Sequence, residues 1–327
     1  MRRAGRTVVA GLLGVAALGC ASACGGGASS PVPAVSGQQG RAAASVAAEP
    51  YDGQQCDAPS LIAHRGETGD GRNLPENTSQ SELAAASQGA TYLNMDVRWT
   101  SDGVPVALHD DTVNRTTSET RADTPITTLT AQQYTALYAR DYAGDTKQGS
   151  INTSVHPDTL AEVLAKVAAT GKPFVLQIEA DPYQSTGTGA AKPAAEFTEL
   201  AHVIESSGYA AKVIVAGWTL EDLKALHTLA PNIRLAYLFE TIGARSTPTP
   251  HDLTAAGANI LYVDYRGITA SLTTTWHAAG IQVWAWTPAQ RSQWSTLRTD
   301  DVDAVATNWA SFYLSWAPQP CPADSSV

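Results

Sequence analysis

The chain has 327 residues, 43% of them apolar, and a formal net charge of −10 from 21 basic and 31 acidic side chains. That length and apolar share suit one large α/β domain with a sizeable core better than two small ones. The acidic balance argues against a general role on nucleic acid or on anionic membranes, because both call for basic surface.

Residues 1–24 open with Arg2, Arg3 and Arg6, continue through an apolar run from Thr7 to Leu18, and end in small residues and cysteines. This is the pattern of an export signal, too short and wrongly flanked for a membrane span. Cys20 follows Gly19 and Cys24 follows Ala23, each placed where a lipoprotein signal would be processed, so lipidation to the membrane and simple cleavage both stay open. Residues 25–48, rich in Gly, Ala, Ser, Pro and Gln, read as a flexible linker, which leaves 49–327 as the folded domain. Cys56 and Cys321 then flank that domain, and in an exported chain one disulfide between them is the economical reading.

The apolar run Leu61 to Ala63 predicts a buried strand ending at His64, Arg65 and Gly66. Asn77 or Thr78 is positioned to cap a helix over residues 79–87. A second strand, Thr91 to Thr100, meets Asp102-Gly103, a strong hairpin signal, and returns from Val104 to His109. With a two-residue loop, Ser101 pairs with Val104 and Asp96 with His109, so an imidazole and a carboxylate share one face. Helical segments follow over 131–142 and 158–170, the latter capped by Asp158 or Thr159 and closed by Gly171. Apolar runs at 174–178, 213–216, 235–239, 260–263, 283–286 and 304–306 then alternate with helical segments such as 194–206, 220–230 and 272–279. With the first two strands the total is eight, which predicts a (β/α)8 barrel of the TIM type with a β-hairpin extension after the second strand. An open doubly wound sheet is the alternative; it would ask for a glycine-rich phosphate loop after the first strand.

The ordered motifs His64-Arg65-Gly66, Pro75-Glu76-Asn77-Thr78, a strand carrying Asp96, Thr100-Ser101-Asp102-Gly103, His109-Asp110 and Arg115-Thr116-Thr117 resemble the glycerophosphodiester phosphodiesterase family. HPDTLAEVL, FVLQIE, VWAWTPA and DAVATNW extend the resemblance to Trp309. It implies a barrel that hydrolyses glycerophosphodiesters to glycerol-3-phosphate and an alcohol, with a divalent metal, Ca2+ or Mg2+. Such a reaction needs a base for the attacking oxygen, an acid for the leaving oxygen and an offset for phosphoryl charge. By resemblance His64 and His109 divide the first two tasks, since imidazoles titrate near neutral pH. The attacking group implied is the substrate's own glycerol 2-hydroxyl, giving a cyclic phosphate that water opens. Arg65 offers a planar fork to phosphate. Trp286, at the end of its strand on the face shared with Trp284, is a candidate to line the substrate pocket.

The metal positions depart from the family. Where members carry Glu-x-Asp and Glu-x-Lys, this chain has Asn94-Met95-Asp96 and Gln177-Ile178-Glu179. Three carboxylates and a lysine become two carboxylates, so the formal local charge is unchanged. Three readings follow: Asp96 and Glu179 rebuild a shifted site with help from the Asn94 and Gln177 carbonyls; the centre works on histidines and arginines without metal; or turnover is lost and an extracytoplasmic phosphodiester-binding protein remains. A phospholipase-type enzyme on the same barrel would need an apolar rim, whereas the loop at 181–189 is polar. The expected partner is therefore a soluble glycerophosphodiester.

Overall fold

The computed structural model describes residues 58–69, 73–179, 194–240 and 248–323. The expected signal segment, the linker, Cys20, Cys24, Cys56 and the polar loop at 181–189 lie outside the described residues. Eight parallel strands form a closed barrel: β1 (Ser60–Ala63), β2 (Tyr92–Trp99), β6 (Phe174–Ile178), β7 (Val213–Gly217), β8 (Arg234–Phe239), β9 (Ile260–Asp264), β10 (Gln282–Trp286) and β11 (Ala304–Thr307). Closure is made by β1, which pairs with β11 on one side and with β2 on the other. That double pairing excludes an open sheet. The remaining strands are short: β3 (Pro105–Ala107) is antiparallel to β2, and β4 (Ala139–Arg140) pairs with β5 (Ile151–Asn152).

Alternation along each strand divides the core in two. Leu93, Met95 and Val97 pack outward with the helices, while Tyr92, on the other face, joins Ile62, Val175, Ile214, Tyr262, Trp284 and Ala304 inside the barrel. Trp284 is wedged between Tyr92 and Tyr262 at ring-centroid distances of 5.0 and 5.8 Å. These buried aromatics floor the barrel, each contributing about 1.5–3 kcal/mol by burial. The inward rows continue above the floor with polar residues: Ile62 leads to His64, Tyr92 to Asn94 and Asp96, Val175 to Gln177 and Glu179, and Ala306 to Asn308. The sequence period that builds the core thus also delivers the polar residues to the C-terminal mouth.

The surrounding helices are α1 (Ser79–Gln88), α2 (Ala131–Thr135), α3 (Leu160–Val167), α4 (Ala194–Ser206), α5 (Leu220–Leu229), α6 (Pro250–Ala255), α7 (Ala270–His277), α8 (Arg291–Thr299) and α9 (Ala310–Trp316). Thr78 caps α1 and Thr159 caps α3, each accepting from the backbone N–H three residues on. Gly171 closes the turn after α3 in the left-handed region at φ 65°. Asp158 instead accepts from Ser79 N at 2.8 Å and from Lys166 Nζ at 2.6 Å, tying α1 to α3.

Two local expectations are corrected. The hairpin register is Val97 with Ala107 and Trp99 with Pro105, one residue away from the expected pairing. Thr100 N donates to Val104 O at 3.1 Å, so the loop is the three residues Ser101-Asp102-Gly103, with Gly103 at φ 80°. Asp96 therefore faces Leu108 across the ladder, and His109 lies past its end. The helix expected over 131–142 stops at Thr135, because the following backbone bonds outward: Ala139 N to Val155 O and Arg140 N to Thr116 O, both at 2.8 Å.

Candidate active site

His64 and Arg65 stand in the turn after β1, where the chain reverses sharply. Arg65 has φ 60° and Gly66 φ 87°. A Cβ on Gly66 would lie 2.4 Å from Ser81 Oγ, so only glycine lets α1 approach this turn. The amide of Asn94 pins the same turn: its Oδ1 accepts from Arg65 N at 3.2 Å and its Nδ2 donates to Val175 O at 3.1 Å. Asn94 thus ties β1, β2 and β6 together at the barrel mouth.

From Arg65 a chain of charged contacts runs across the mouth. Its Nε lies 3.0 Å from Asp96 Oδ2, and its Nη1 lies 3.2 Å from Glu76 Oε1 and 3.5 Å from Asp145 Oδ1. Asn77 clamps Asp96 from both ends, donating through Nδ2 to Oδ2 and accepting from the Asp96 backbone N–H, each at 2.9 Å. Arg115 donates to both oxygens of Glu76, at 2.6 and 2.7 Å, and to both of Asp110, at 2.6 and 2.9 Å. Asp110 in turn holds His109 Nδ1 at 2.8 Å. Arg98 braces the backbone of the same histidine, donating from Nε to His109 O at 2.6 Å. The sequence Asp96–Arg65–Glu76–Arg115–Asp110–His109 is one connected network.

The two imidazoles sit in different electrostatic surroundings. Burial, with the Arg65 guanidinium adjoining, pushes His64 down from 6.5 to about 4, so it is neutral at pH 7. Burial and Arg65 act downward on His109 too, but the bond to Asp110 and the carboxyls of Glu179 and Asp96 outweigh them and hold it above 6.5. Burial alone would raise Asp96; Arg65, His109 and His64 together hold it below the usual carboxylate range. Both histidines therefore lie within electrostatic reach of this one carboxylate. The contact network joins the two histidine motifs, though not by cross-strand pairing: the chain bends after β3 at His109.

The donor set expected for Ca2+ or Mg2+ does not fit. Asn94 is corrected outright, since its carbonyl oxygen is engaged by Arg65 N and its amide by Val175 O. Gln177 turns its amide nitrogen toward Glu179, donating to Oε1 at 2.6 Å. Asp96 is already ion-paired to Arg65, and burial pushes Glu179 upward, toward its neutral form. Among the described residues no group of three or more His, Cys, Asp or Glu side chains is arranged to hold a metal ion. A hard divalent cation wants several charged or carbonyl oxygens free to turn toward it.

Arg65 is also corrected in detail, because most of its fork is engaged by carboxylates; Nη2 carries no protein hydrogen bond among the described residues. Trp286 is half-buried on the inward face near the mouth, its Nε1 donating to Tyr262 O at 3.1 Å and its ring set edge-on to Trp218 at 5.7 Å. Asp264, at the end of β9, is held by Arg266. Cys321 is disulfide-bonded, and its backbone N–H donates to Ala58 O at 2.9 Å; its partner lies outside the described residues. Sequence reasoning underrated Glu76, Asp110 and Arg115, which link the two histidine motifs, although PENT, HD and RTT contain them. It passed over Tyr142 and Asp145, which no local pattern marks, and Asn308, which DAVATNW contains.

A sequence profile of the Glycerophosphoryl diester phosphodiesterase family matches residues 64–310. The rat "Glycerophosphodiester phosphodiesterase 1" is 52% identical over 61 residues, 19% of this chain and only 18% of that protein's length. "Glycerophosphodiester phosphodiesterase" of Caldanaerobacter subterraneus subsp. tengcongensis is 25% identical over 248 residues, covering 76% of this chain and 93% of its own. The solved Oleispira antarctica phosphodiesterase, in complex with the product sn-glycerol-3-phosphate, superposes with TM-score 0.64 at 22% identity, over 79% of this chain and 96% of that one. With the profile spanning most of the barrel and the motifs gathered at its mouth, the chain belongs to the Glycerophosphoryl diester phosphodiesterase family.

Proposed function

We propose that this chain is an exported phosphodiesterase that hydrolyses glycerophosphodiesters to glycerol-3-phosphate and an alcohol. The observation that carries the reading is Asp96, within electrostatic reach of both imidazoles and ion-paired to Arg65. The product-bound relative supports glycerol-3-phosphate as the released ester. His64, neutral at pH 7, is the base that takes the proton of the glycerol 2-hydroxyl as its oxygen attacks phosphorus. His109, held toward its cationic form, gives a proton to the departing alcohol oxygen. A cyclic phosphate results, and the roles reverse when water opens it. Arg65 offers Nη2 to a phosphoryl oxygen, and Trp286 covers the carbon skeleton. No step is routed through a metal.

The leader pattern supports export, and the Cys321 disulfide is in keeping with an oxidising compartment. We take Cys56 as its partner because it stands two residues before Ala58 in the sequence, and Ala58 forms a parallel bridge with Pro320. The mature protein is lipidated at Cys20 or Cys24, or released after cleavage; its intact mass separates these outcomes.

The test is release of glycerol-3-phosphate from glycerophosphocholine and glycerophosphoethanolamine by the purified domain. His64→Ala and His109→Ala should each lower the rate by about 10²–10⁴-fold, the usual contribution of a positioned acid or base. The replacement of two family carboxylates by Asn94 and Gln177 favours one second reading, a binding protein without turnover. No release by wild type, together with thermal stabilisation by glycerophosphocholine, would select it.

A further inference from the structure

The segment from β4 to β5 (Ala139–Asn152) is a strap outside the barrel ladder, and it reaches back to the mouth. Its neck is tight: a Cβ on Gly149 would lie 1.8 Å from Asp141 O, and Asp141 N donates to Ser150 O at 2.9 Å. Tyr142 N donates to Asn73 O at 2.9 Å, which moors the strap to the loop between β1 and α1. Two strap side chains enter the site. Asn308 Nδ2 donates to Tyr142 Oη at 3.0 Å, and Tyr142 Oη donates to Asp145 Oδ1, also at 3.0 Å. Asp145 lies 3.5 Å from Asn308 Nδ2 and from Arg65 Nη1. On its other side Asn308 presents Oδ1 to His64 Nδ1 at 2.5 Å.

We propose that Asp145, Tyr142 and Asn308 form a relay of positioning residues that fixes the tautomer of His64. The logic follows from donors and acceptors alone. A carboxylate accepts only, so Asp145 takes the Tyr142 hydroxyl proton. Tyr142 Oη is then left as an acceptor and draws the NH2 end of the Asn308 amide. That orientation turns the amide carbonyl toward His64, so Nδ1 must carry the hydrogen and Nε2 keeps its lone pair. An unanchored amide could turn over and offer a donor to Nδ1, which would move the proton to Nε2 and remove the base. Asn308 is neutral, so it orients the ring without stabilising the imidazolium as a carboxylate would. Burial and the adjoining Arg65 guanidinium keep His64 unprotonated against the upward pull of Asp96, the Asn308 bond and Asp145. The strap therefore completes the base from outside the barrel. This inference rests on the assignment of His64 as base, but the tautomer can be read without any turnover.

The experiment is nitrogen-15 NMR of histidine-labelled full-length protein, with the His64 signals assigned by their loss in His64→Gln. Wild type should show a single His64 tautomer with hydrogen on Nδ1. Tyr142→Phe, which removes only the hydroxyl, should give a mixture of tautomers and lower kcat about tenfold or more with KM little changed, the scale of a lost orienting partner. Asp145→Asn should act in the same direction. A wild-type His64 protonated on Nε2, or a Tyr142→Phe protein with wild-type tautomer and kcat, would overturn the relay. If no phosphodiester is turned over but the tautomer behaves as stated, the relay stands and the enzymatic reading fails.

Discussion

At the scale of single residues, two identical side chains are driven toward opposite protonation states by their neighbours. His64 is only 5% exposed, beside a guanidinium and with a neutral amide as partner, whereas the His109 side chain is 33% exposed and faces carboxyls. The rate should therefore be bell-shaped in pH. The acid limb lies near 4, where His64 gains a proton, and the alkaline limb lies above 6.5, where His109 loses one. A profile of kcat/KM against pH checks this; a single limb would contradict it. The same lowering has a stability consequence. The unfolded chain binds a proton at His64 below 6.5 while the folded chain resists until about 4. Stability is thus lost as pH falls through that window, by up to about 3 kcal/mol, and His64→Gln should flatten the slope in urea titrations. His109 has the opposite sign: its contribution is present below 6.5 and fades as pH rises through its raised value. The two histidine motifs were legible as HRG and HD. Of their partners, Asn308 was within reach, two residues past Ala306 on the inward row of β11, whereas Tyr142 lies in a strap that no periodicity marks.

At the scale of elements, the barrel strands were legible because burial on both faces dictates short continuous apolar runs. The hairpin register was not. Asp-Gly is compatible with a two- or a three-residue loop, and the bond from Thr100 N to Val104 O selects the longer one. The helix expected over 131–142 failed because tertiary bonds to Val155 and Thr116 outweigh a local preference. The turn after β1 is the most exacting local structure. Gly66→Ala would put a Cβ 2.4 Å from Ser81 Oγ and 2.7 Å from the Ser81 carbonyl carbon, in a left-handed conformation besides. Chemical denaturation should show a loss of about 1–3 kcal/mol. A loss under a few tenths would mean that the turn can relax. Removing the Thr78 cap should cost about 1 kcal/mol by the same measurement.

At the scale of the whole molecule, an acidic chain builds its barrel mouth from alternating carboxylates and guanidinium groups. Arg65, Arg115 and the cationic form of His109 offset Asp96, Glu76 and Asp110 charge for charge in one network, so these groups cohere without an added cation. Chelator should therefore leave glycerol-3-phosphate release within a few-fold of its value in Ca2+ or Mg2+; abolition by chelator would show that the donor set rearranges on binding. Far from the mouth, Cys321 is disulfide-bonded, and its backbone N–H donates to Ala58 O. Cys321→Ser should cost about 2–5 kcal/mol, read as a lower Tm.

The most direct measurement compares leaving groups. Wild type, His64→Ala and His109→Ala would each be assayed on glycerophosphocholine and on the p-nitrophenyl ester of glycerol phosphate, whose nitrophenolate departs without a proton. The division of labour between the imidazoles predicts that both variants are crippled on the choline ester. On the nitrophenyl ester His109→Ala recovers most of the wild-type rate while His64→Ala does not. Recovery by His64→Ala in its place, or wild-type turnover of the choline ester by either variant, would contradict the account.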